Sequence, residues 1–247
     1  MDISTLIGIL LGFGGILIGN AIEGGHLNSL TQLTAALIVF GGTFGATMIS
    51  NSMEDFKIGM RMISLAFKAE PPEHREKLAR DVVRLAQLAR RETLLAIEKE
   101  LPKLSSPFLK NILKMVVDGV DAKTLRLVYE HQIEVDEKRR LAYAKVWADA
   151  GGFAPTIGII GAVLGLIHVM ANLVDTSALG KGIAVAFVAT IYGVGSANLF
   201  FLPVANKIKR RVLRESEEKE MLLEAAVAIA QGMSATVVEE KVRGYLA

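Results

Sequence analysis

Four long apolar segments of the chain contain few side chains that could do chemistry. His168 is the only one that changes charge near neutral pH. Thr156 and Thr190 supply hydroxyl groups among many Gly and Ala residues, and no Lys, Arg, Asp or Glu occurs in any of the four segments. Binding and releasing an ion inside a membrane needs a suitable polar group. If the chain conducts ions, we therefore expect a partner to supply the carboxylate.

Each of these side chains also has a purely structural interpretation. A threonine in a helix usually donates to a carbonyl of its own helix, so Thr156 and Thr190 are structural unless they line a narrow path. His168 lies about six residues, roughly 9 Å, from the outer end of its segment, and could be a neutral imidazole bonded to a neighbour. Gly161 and Gly165 form a G-x-x-x-G pair, which favours close helix packing.

The segments predict an all-α membrane protein with four transmembrane helices. We name them span one (about residues 3–19), span two (33–50), span three (151–174) and span four (182–205). About 17 or more residues at 1.5 Å per residue just reach across a hydrocarbon core. The alternative, four buried helices of a large soluble core, is disfavoured because the segments carry no charged residue. The expected organisation is a transmembrane hairpin over 1–50, a helical cytoplasmic domain over 51–150, a second hairpin over 151–205, and a cytoplasmic helix and tail over 206–247.

The charged residues predict the orientation and exclude several classes of protein. Of the 28 Lys and Arg residues, 19 lie in 51–150 and eight in 206–247, and only Lys181 lies elsewhere. The positive-inside rule then places both termini in the cytoplasm and two short loops outside. A net charge of +2 gives no nucleic-acid signal, and the lack of cysteine excludes disulfides and thiolate metal sites.

Helices are also expected outside the spans. The apolar spacing predicts a helix over Glu73–Leu101, after Pro71 and Pro72 and ending at Pro102. A second helix is expected from about Ser106 to Val117, and a third from Ala122 to about Ala148 with Asp121 as N-cap. The segment Lys207–Gln231 is predicted to continue span four out of the membrane.

Several stretches resemble the MotA/PomA family of flagellar motor stator subunits, over nearly the whole chain. They are GGFAPTIGIIGAVLGLIH at 151–168, GIAVAFVATIYG at 182–193, FLPVA at 201–205 and EGGH at 23–26. The resemblance implies a ring, understood as a pentamer, around the membrane helices of two MotB-type partners in the bacterial inner membrane. The partner supplies the ion-binding aspartate and the peptidoglycan anchor, and the rotating ring pushes the rotor protein FliG. No enzymatic activity, cofactor, bound metal or nucleic acid is expected.

The resemblance also assigns residues. The family's two motor prolines fall on Pro155, expected at a helix start, and on Pro203, expected to kink the last turns of span four. Without the family, both would be interpreted as helix punctuation. The torque pair falls on Arg90 and Glu98, which would lie about 12 Å apart along one helix, although neighbouring charges at 91 and 92 leave the assignment open and a solvated surface is the ordinary interpretation.

The same resemblance bears on the coupling ion. In sodium-driven members, a threonine on span three works with one on span four beside the partner's aspartate. The span-four position corresponds to Thr190, and the span-three position to Ala162, which has no oxygen. Sodium needs several oxygen ligands, so we expect a proton. A sodium-driven stator stays open, because water, a backbone carbonyl or Thr156 could substitute.

Three other functions compete with this one. An ExbB- or TolQ-type energy-transducing protein also forms a ring, but it typically has a single span before its cytoplasmic insert, whereas this chain has two. A membrane scaffold would use the Gly and Ala faces only for assembly. A membrane enzyme is least expected, because Glu23 and His26 have no third ligand, nucleophile or phosphate loop beside them.

Overall fold

The structure, a computed structural model, describes residues 2–69, 74–171 and 176–246, with the side chains of 176–178 left aside. Within these ranges every regular element is helical, which confirms the all-α prediction. Pro71, Pro72 and the predicted end of span three at Val174 lie outside the described residues. Four helices are long and apolar enough to cross a membrane: Ile3–Ile22, Leu27–Ser50, Ala122–Ala171 and Leu179–Ala230.

The chain divides into two compact units. The first comprises Met1–Ala69 and Leu141–Arg210, and the second comprises Glu70–Arg140 and Arg211–Ala247. Two helices, Ala122–Ala171 and Leu202–Ala230, contribute residues to both units. The division by membrane crossing proposed from the sequence stays a prediction.

The first unit contains the four spans. Span one is the helix Ile3–Ile22, capped by the Asp2 carboxylate, which accepts from the backbone N–H of Ser4. Span two and span four each contain one π-helical segment, a geometry that often marks functional sites. The remaining elements of this unit are Leu27–Leu30 (3-10), Leu33–Ala36, Leu37–Gly41 (π), Gly42–Ser50, Met53–Arg61, Ile63–Phe67, Thr176–Ser196 and Ala197–Phe201 (π).

Spans three and four approach each other backbone to backbone. A Cβ added to Gly158 would lie 3.1 Å from the Cα of Gly193, and one added to Gly165 would lie 2.8 Å from the carbonyl oxygen of Gly182. Residue numbers rise along span three as those of their contacts on span four fall, so the two helices run antiparallel. The close packing expected of the small residues is therefore confirmed for this line, which we call the glycine seam.

Span two packs its buried stripe against this pair. Ala35 and Val39 form an apolar cluster with residues of span four. Further along the stripe Thr43 and Thr47 are fully buried. The Thr47 hydroxyl donates to the Thr43 carbonyl at 2.8 Å, while the Thr43 hydroxyl has no hydrogen-bond partner among the described residues. The stripe thus changes from apolar to polar along the span.

Polar and aromatic contacts fix the ends of spans two and three. Asn51 donates to Asp149 at 3.1 Å, and Lys145 pairs with the same carboxylate at 3.0 Å. The indole N–H of Trp147 donates to the carbonyl of Gly59 at 2.9 Å. A Cβ at Gly59 would lie 2.6 Å from the Tyr143 carbonyl oxygen, so only glycine allows this approach.

The second unit is a helical bundle around one core. Its helices are His74–Arg91, Leu94–Glu98, Leu101–Lys103 (3-10), Pro107–Val117, the start of Ala122–Ala171, the later part of Leu202–Ala230, and Ala235–Arg243. The predicted cap Asp121 is confirmed, since it accepts from the backbone N–H groups of Lys123 and Thr124. Ser106, predicted only as the start of a helix, is also an N-cap and accepts from the N–H of Leu109. The largest fully buried side chains here are Leu78, Leu85, Ile97, Leu109, Ile112, Leu113, Leu125, Met221, Leu222 and Leu223.

The C-terminal ends of two helices were predicted wrongly. The helix predicted to reach Leu101 stops at Arg91, because Thr93 is extended and the chain re-enters a short helix that buries Ile97 completely. The helix predicted to end near Ala148 continues to Ala171. Pro155 therefore lies inside a helix rather than at its start, which removes one backbone hydrogen bond there.

Candidate functional sites

Spans three and four each present one threonine on an exposed surface. The hydroxyl of Thr156 donates to the Phe153 carbonyl at 2.8 Å, and that of Thr190 to the Ala186 carbonyl at 3.2 Å. The expectation that each threonine bonds to its own helix is confirmed. Because a hydroxyl oxygen also accepts, both oxygens can still bind water or an ion.

Thr190 and Ala162 lie at nearly the same level of the two helices. A Cβ on Gly161 would lie 2.7 Å from the Cβ of Ala189 across the glycine seam. Ala162 and Thr190 are the next residues along the two chains, so at 1.5 Å per residue their levels differ by about 3 Å. The structure therefore places these two sequence-predicted positions at nearly one level, with a hydroxyl on span four and a methyl on span three.

Thr156 does not belong to that level. Pro155 and Ala162 are seven residues apart and share one face of the helix. At 100° per residue, Thr156 is rotated by about 120° from Ala162 and lies about 9 Å along the axis from it. The span-three positions predicted for the ion path are thus spread over two faces.

His168 lies near a helix end, whereas Pro203 lies within a continuous helical stretch. His168 is exposed and lies one turn before the end of the helix at Ala171. Pro203 is exposed and lies two residues after the π-helical segment Ala197–Phe201, and the helix continues to Ala230. The irregular stretch of span four therefore lies before the proline, and regular helix follows it.

Arg90 and Glu98 lie in two different helices of the second unit. Arg90 is next to the last residue of His74–Arg91, and Glu98 is the last of Leu94–Glu98. The expected 12 Å of rise along one helix is wrong, because the helix breaks between them. Both are exposed, and Nη1 of Arg90 donates to the Gly232 carbonyl at 3.2 Å, which orients this arginine.

The charged side chains around Arg90 and Glu98 do not form ion pairs with one another. In the described part of the second unit, no ion pair joins Arg90, Arg91, Glu92 or Glu98 to another side chain. Leu95 stands between them with 64% of its surface exposed. The arrangement presents both signs of charge around an apolar residue, a pattern suited to a protein partner.

Other charges of this unit are paired within it. Glu215 accepts from Arg140 at 2.6 Å and from Arg211 at 2.9 Å. Burial raises the pKa of the Glu215 carboxyl, and hydrogen bonds from Arg211 and Arg140 lower it by more, so the net shift is downward. These pairs stabilise the unit, whereas Arg90 and Glu98 have no such ion pair among the described residues.

Sequence reasoning missed one polar site in the first unit. The Asp2 carboxylate, just before span one, accepts from the ammonium of Lys207, just after the span-four stretch. The sequence offered one signal for this contact: span one was predicted to start, and span four to end, on the same side of the membrane. Neither Glu23 nor His26 belongs to a metal-binding group: no three His, Cys, Asp or Glu residues cluster suitably in the described ranges.

Comparison with known proteins places these features in a family. Residues 6–92 match the family described as motility protein A N-terminal, and residues 100–221 match the MotA/TolQ/ExbB proton channel family. Motility protein A of Bacillus subtilis is 35% identical over 246 residues, which cover 100% of this chain and 91% of that protein.

Solved structures agree over the same length. The C. jejuni MotAB structure matches with a TM-score of 0.93 and 30% identity, covering 100% of this chain and 96% of that chain. The flagellar MotAB stator complex from Bacillus subtilis matches with a TM-score of 0.90 and 35% identity, covering 99% and 96%. With sequence and fold matched from end to end, the chain belongs to the motility protein A group of the MotA/TolQ/ExbB proton channel family.

Proposed function

We propose that this chain is the flagellar stator subunit that forms an ion channel together with a MotB-type partner and turns ion flow into torque on the rotor. The observation that carries the proposal is chemical. The spans contain no carboxylate, yet Thr190 offers an exposed hydroxyl at the level of Ala162. A partner helix with an aspartate would complete that site, which is consistent with the MotAB complexes of the relatives.

The assembly that we propose is a homo-oligomeric ring, expected to be a pentamer, in the bacterial inner membrane. Support comes from the apolar faces that a single chain leaves uncovered. Phe187 on span four is 69% exposed, and Met170 on span three 67%. Such faces must contact lipid, neighbouring subunits or a partner helix.

Both termini are proposed to be cytoplasmic, as is the second unit. The basic residues support this orientation. The contact between Asp2 and Lys207 supports the part of the proposal that puts the start of span one and the end of span four on one side of the membrane, as four crossings between them require.

Torque is proposed to pass through Arg90 and Glu98 to the rotor protein FliG. The supporting observations are the exposure of both side chains and the absence of a neutralising partner within the described unit. Charged groups at the rim of a contact steer and select a partner more than they add affinity.

The proposed coupling ion is the proton. Sodium requires several oxygen ligands to replace its hydration shell, whereas Ala162 contributes none and Thr190 contributes one. A sodium-driven motor is the alternative, with water or Thr156 as further ligands. The ExbB- or TolQ-type alternative is less consistent with the chain, because residues 6–92 match the motility protein A N-terminal family.

The test is ion conduction by the purified chain with and without its partner. Proteoliposomes with this chain alone should show no selective proton leak, because the spans lack a carboxylate. Complexes with the partner should conduct, and a complex whose partner has its membrane aspartate replaced by asparagine should not. Selective conduction by the chain alone would contradict the proposal.

The same experiment separates a channel subunit from a scaffold. A scaffold would give no conduction in any combination, although the complex would still assemble and be detected by chemical crosslinking. We therefore measure assembly and conduction on the same preparation. Assembly with the partner but without conduction would favour the scaffold.

A further inference from the structure

The start of span one is tied to two distant parts of the first unit. The Asp2 carboxylate accepts from the ammonium of Lys207, from the Ser4 hydroxyl at 2.9 Å and from the Thr5 hydroxyl at 3.1 Å. The backbone N–H of Asp2 donates to the Phe67 carbonyl at 3.1 Å. One residue thus joins span one, the end of the helix Ile63–Phe67 and the base of span four.

The Lys207 ammonium also donates to the Thr5 hydroxyl and lies 3.5 Å from the Ser4 hydroxyl, and the Thr5 hydroxyl lies 3.5 Å from the Ala66 carbonyl oxygen. Beyond this polar cluster, few contacts hold span one to its neighbours. No residue of the helix Ile3–Ile22 is buried. The one glycine of this helix whose added Cβ would meet another span is Gly12, 3.2 Å from Leu199, among the glycines described there. The polar contacts at Asp2 are therefore a large share of what sets the position of span one against span four.

A cleft of about 260 Å³ separates the two spans beside this contact. Span one lines it with Gly8 and Ile9, and span four with Asn198 and Pro203. Lys207 borders the cleft one helical turn after Pro203. Because the cleft leaves the base of span four without close packing on this side, the contact with Asp2 fixes its distance from span one.

We propose that the Asp2–Lys207 ion pair is a positioning contact that holds the base of span four against the start of span one during rotation. The inference rests on the proposed function, since it concerns how efficiently an assembled stator delivers torque. A π-helical segment and Pro203 lie directly before Lys207, and both weaken the regular helix. When that stretch deforms, the ion pair keeps its Lys207 end in place against span one.

The ion pair persists over the pH range in which cells swim. Hydrogen bonds from Lys207, and then from Ser4 and Thr5, hold the pKa of Asp2 well below its usual range. The carboxylate therefore stays ionised, and the contact works as a permanent anchor rather than a pH switch.

The experiment uses the full stator complex in swimming cells. Asp2→Asn keeps an oxygen that can cap the helix but removes the charge, Lys207→Gln removes the other charge, and the double variant removes both. Lys209→Gln is the matched control. Lys209 lies two residues after Lys207 and is exposed, so the variant loses the same charge without losing the contact with Asp2. The readouts are torque per stator, measured from stepwise speed increases of a tethered motor, and the amount of assembled complex.

Each single variant should lower torque per stator at an unchanged amount of complex, because a partly exposed pair contributes little to folding. The double variant should be no worse than the worse single, because both remove the same contact. Lys209→Gln should match the unmodified chain. The inference would be overturned if the single variants gave unchanged speed steps, or if the losses of the two single variants multiplied in the double variant. An equal loss of torque in Lys209→Gln, or fewer complexes with normal speed steps, would overturn it as well. A failure of the proposed function is distinct, since the unmodified complex would then give no rotation.

Discussion

Adding one methyl group to the glycine seam should separate spans three and four. In Gly193→Ala, the new Cβ would lie 2.6 Å from the Ala154 carbonyl oxygen and 2.9 Å from the Cα of Gly158. Ordinary contact begins at 3.4 Å, so the first distance is 0.8 Å too short. Both neighbours are backbone atoms inside helices, and neither can rotate away. The helices must therefore move apart.

The expected cost follows from known overpacking. Extra methyl groups in a tightly packed interior cost about 1–3 kcal/mol. For a chain of this size, this corresponds to a decrease of about 2–12 °C in the melting temperature. Separating the helices also shifts Thr190 relative to Ala162, so motility should fall even where the complex survives.

Gly195→Ala is the matched control. It lies in the same span, two residues on, and an added Cβ there meets nothing within 4 Å. Helix propensity favours alanine over glycine by up to about 1 kcal/mol, so this variant should be neutral or slightly more stable. Thermal unfolding of the solubilised complex and swimming in soft agar are the assays. Equal melting temperatures for the two variants would refute the reasoning about the seam.

Four further outcomes are expected. Reversing the charge of Arg90 or Glu98 should slow swimming without loss of assembly, since exposed charges contribute about 0–1 kcal/mol to folding; failure of every compensating rotor charge to restore speed would count against direct contact. Pro203→Ala should leave insertion and assembly intact but impair swimming, and normal swimming would make this proline helix punctuation. Replacing sodium by potassium at fixed pH and membrane potential should not stop rotation, and reversible arrest would identify a sodium motor. Glu215→Gln should cost the second unit about 1–3 kcal/mol, because it removes the carboxylate that accepts from both Arg140 and Arg211. Because the folded-state pKa of Glu215 lies below 4.5, its contribution is present above pH 4.5 and is lost as pH falls through the lower value. Unfolding measured against pH should show this loss in the unmodified chain and less of it in the variant.

The features that local chemistry determines could be predicted from the sequence. A stretch of about 17 residues without charge needs only its own backbone hydrogen bonds to be helical in a membrane, and this sufficed for all four spans. Asp121 was predictable as a cap because a cap acts on residues two or three positions away.

Helix ends that depend on distant packing could not be predicted. The break at Thr93 allows Ile97 to enter the core, and no local signal marks it. The pair Gly151 and Gly152, followed by Pro155, looks like a helix boundary in sequence. In the structure Gly151 instead makes room for the side chain of Leu202, whose Cδ2 would lie 2.6 Å from an added Cβ.

The candidate sites divide in the same way. The positions of Thr190 and Ala162 came from the family resemblance, but their common level depends on the contact between Gly161 and Ala189. The partner of Asp2 is 205 residues away, and no periodicity connects residues at that separation. Exposure at Arg90 and Glu98 likewise required the folded unit.

Span four combines a rigid half with a deformable half. From Gly182 to Gly193 it touches the backbone of span three, where the contact distances leave no room for sliding. After Gly193 it contains a π-helical segment, then Pro203, beside a cleft. A change of shape in this helix therefore belongs to the stretch between the glycine seam and Lys207. Substitutions in the seam should accordingly damage assembly, whereas substitutions at Pro203 should reduce the work that an assembled stator delivers.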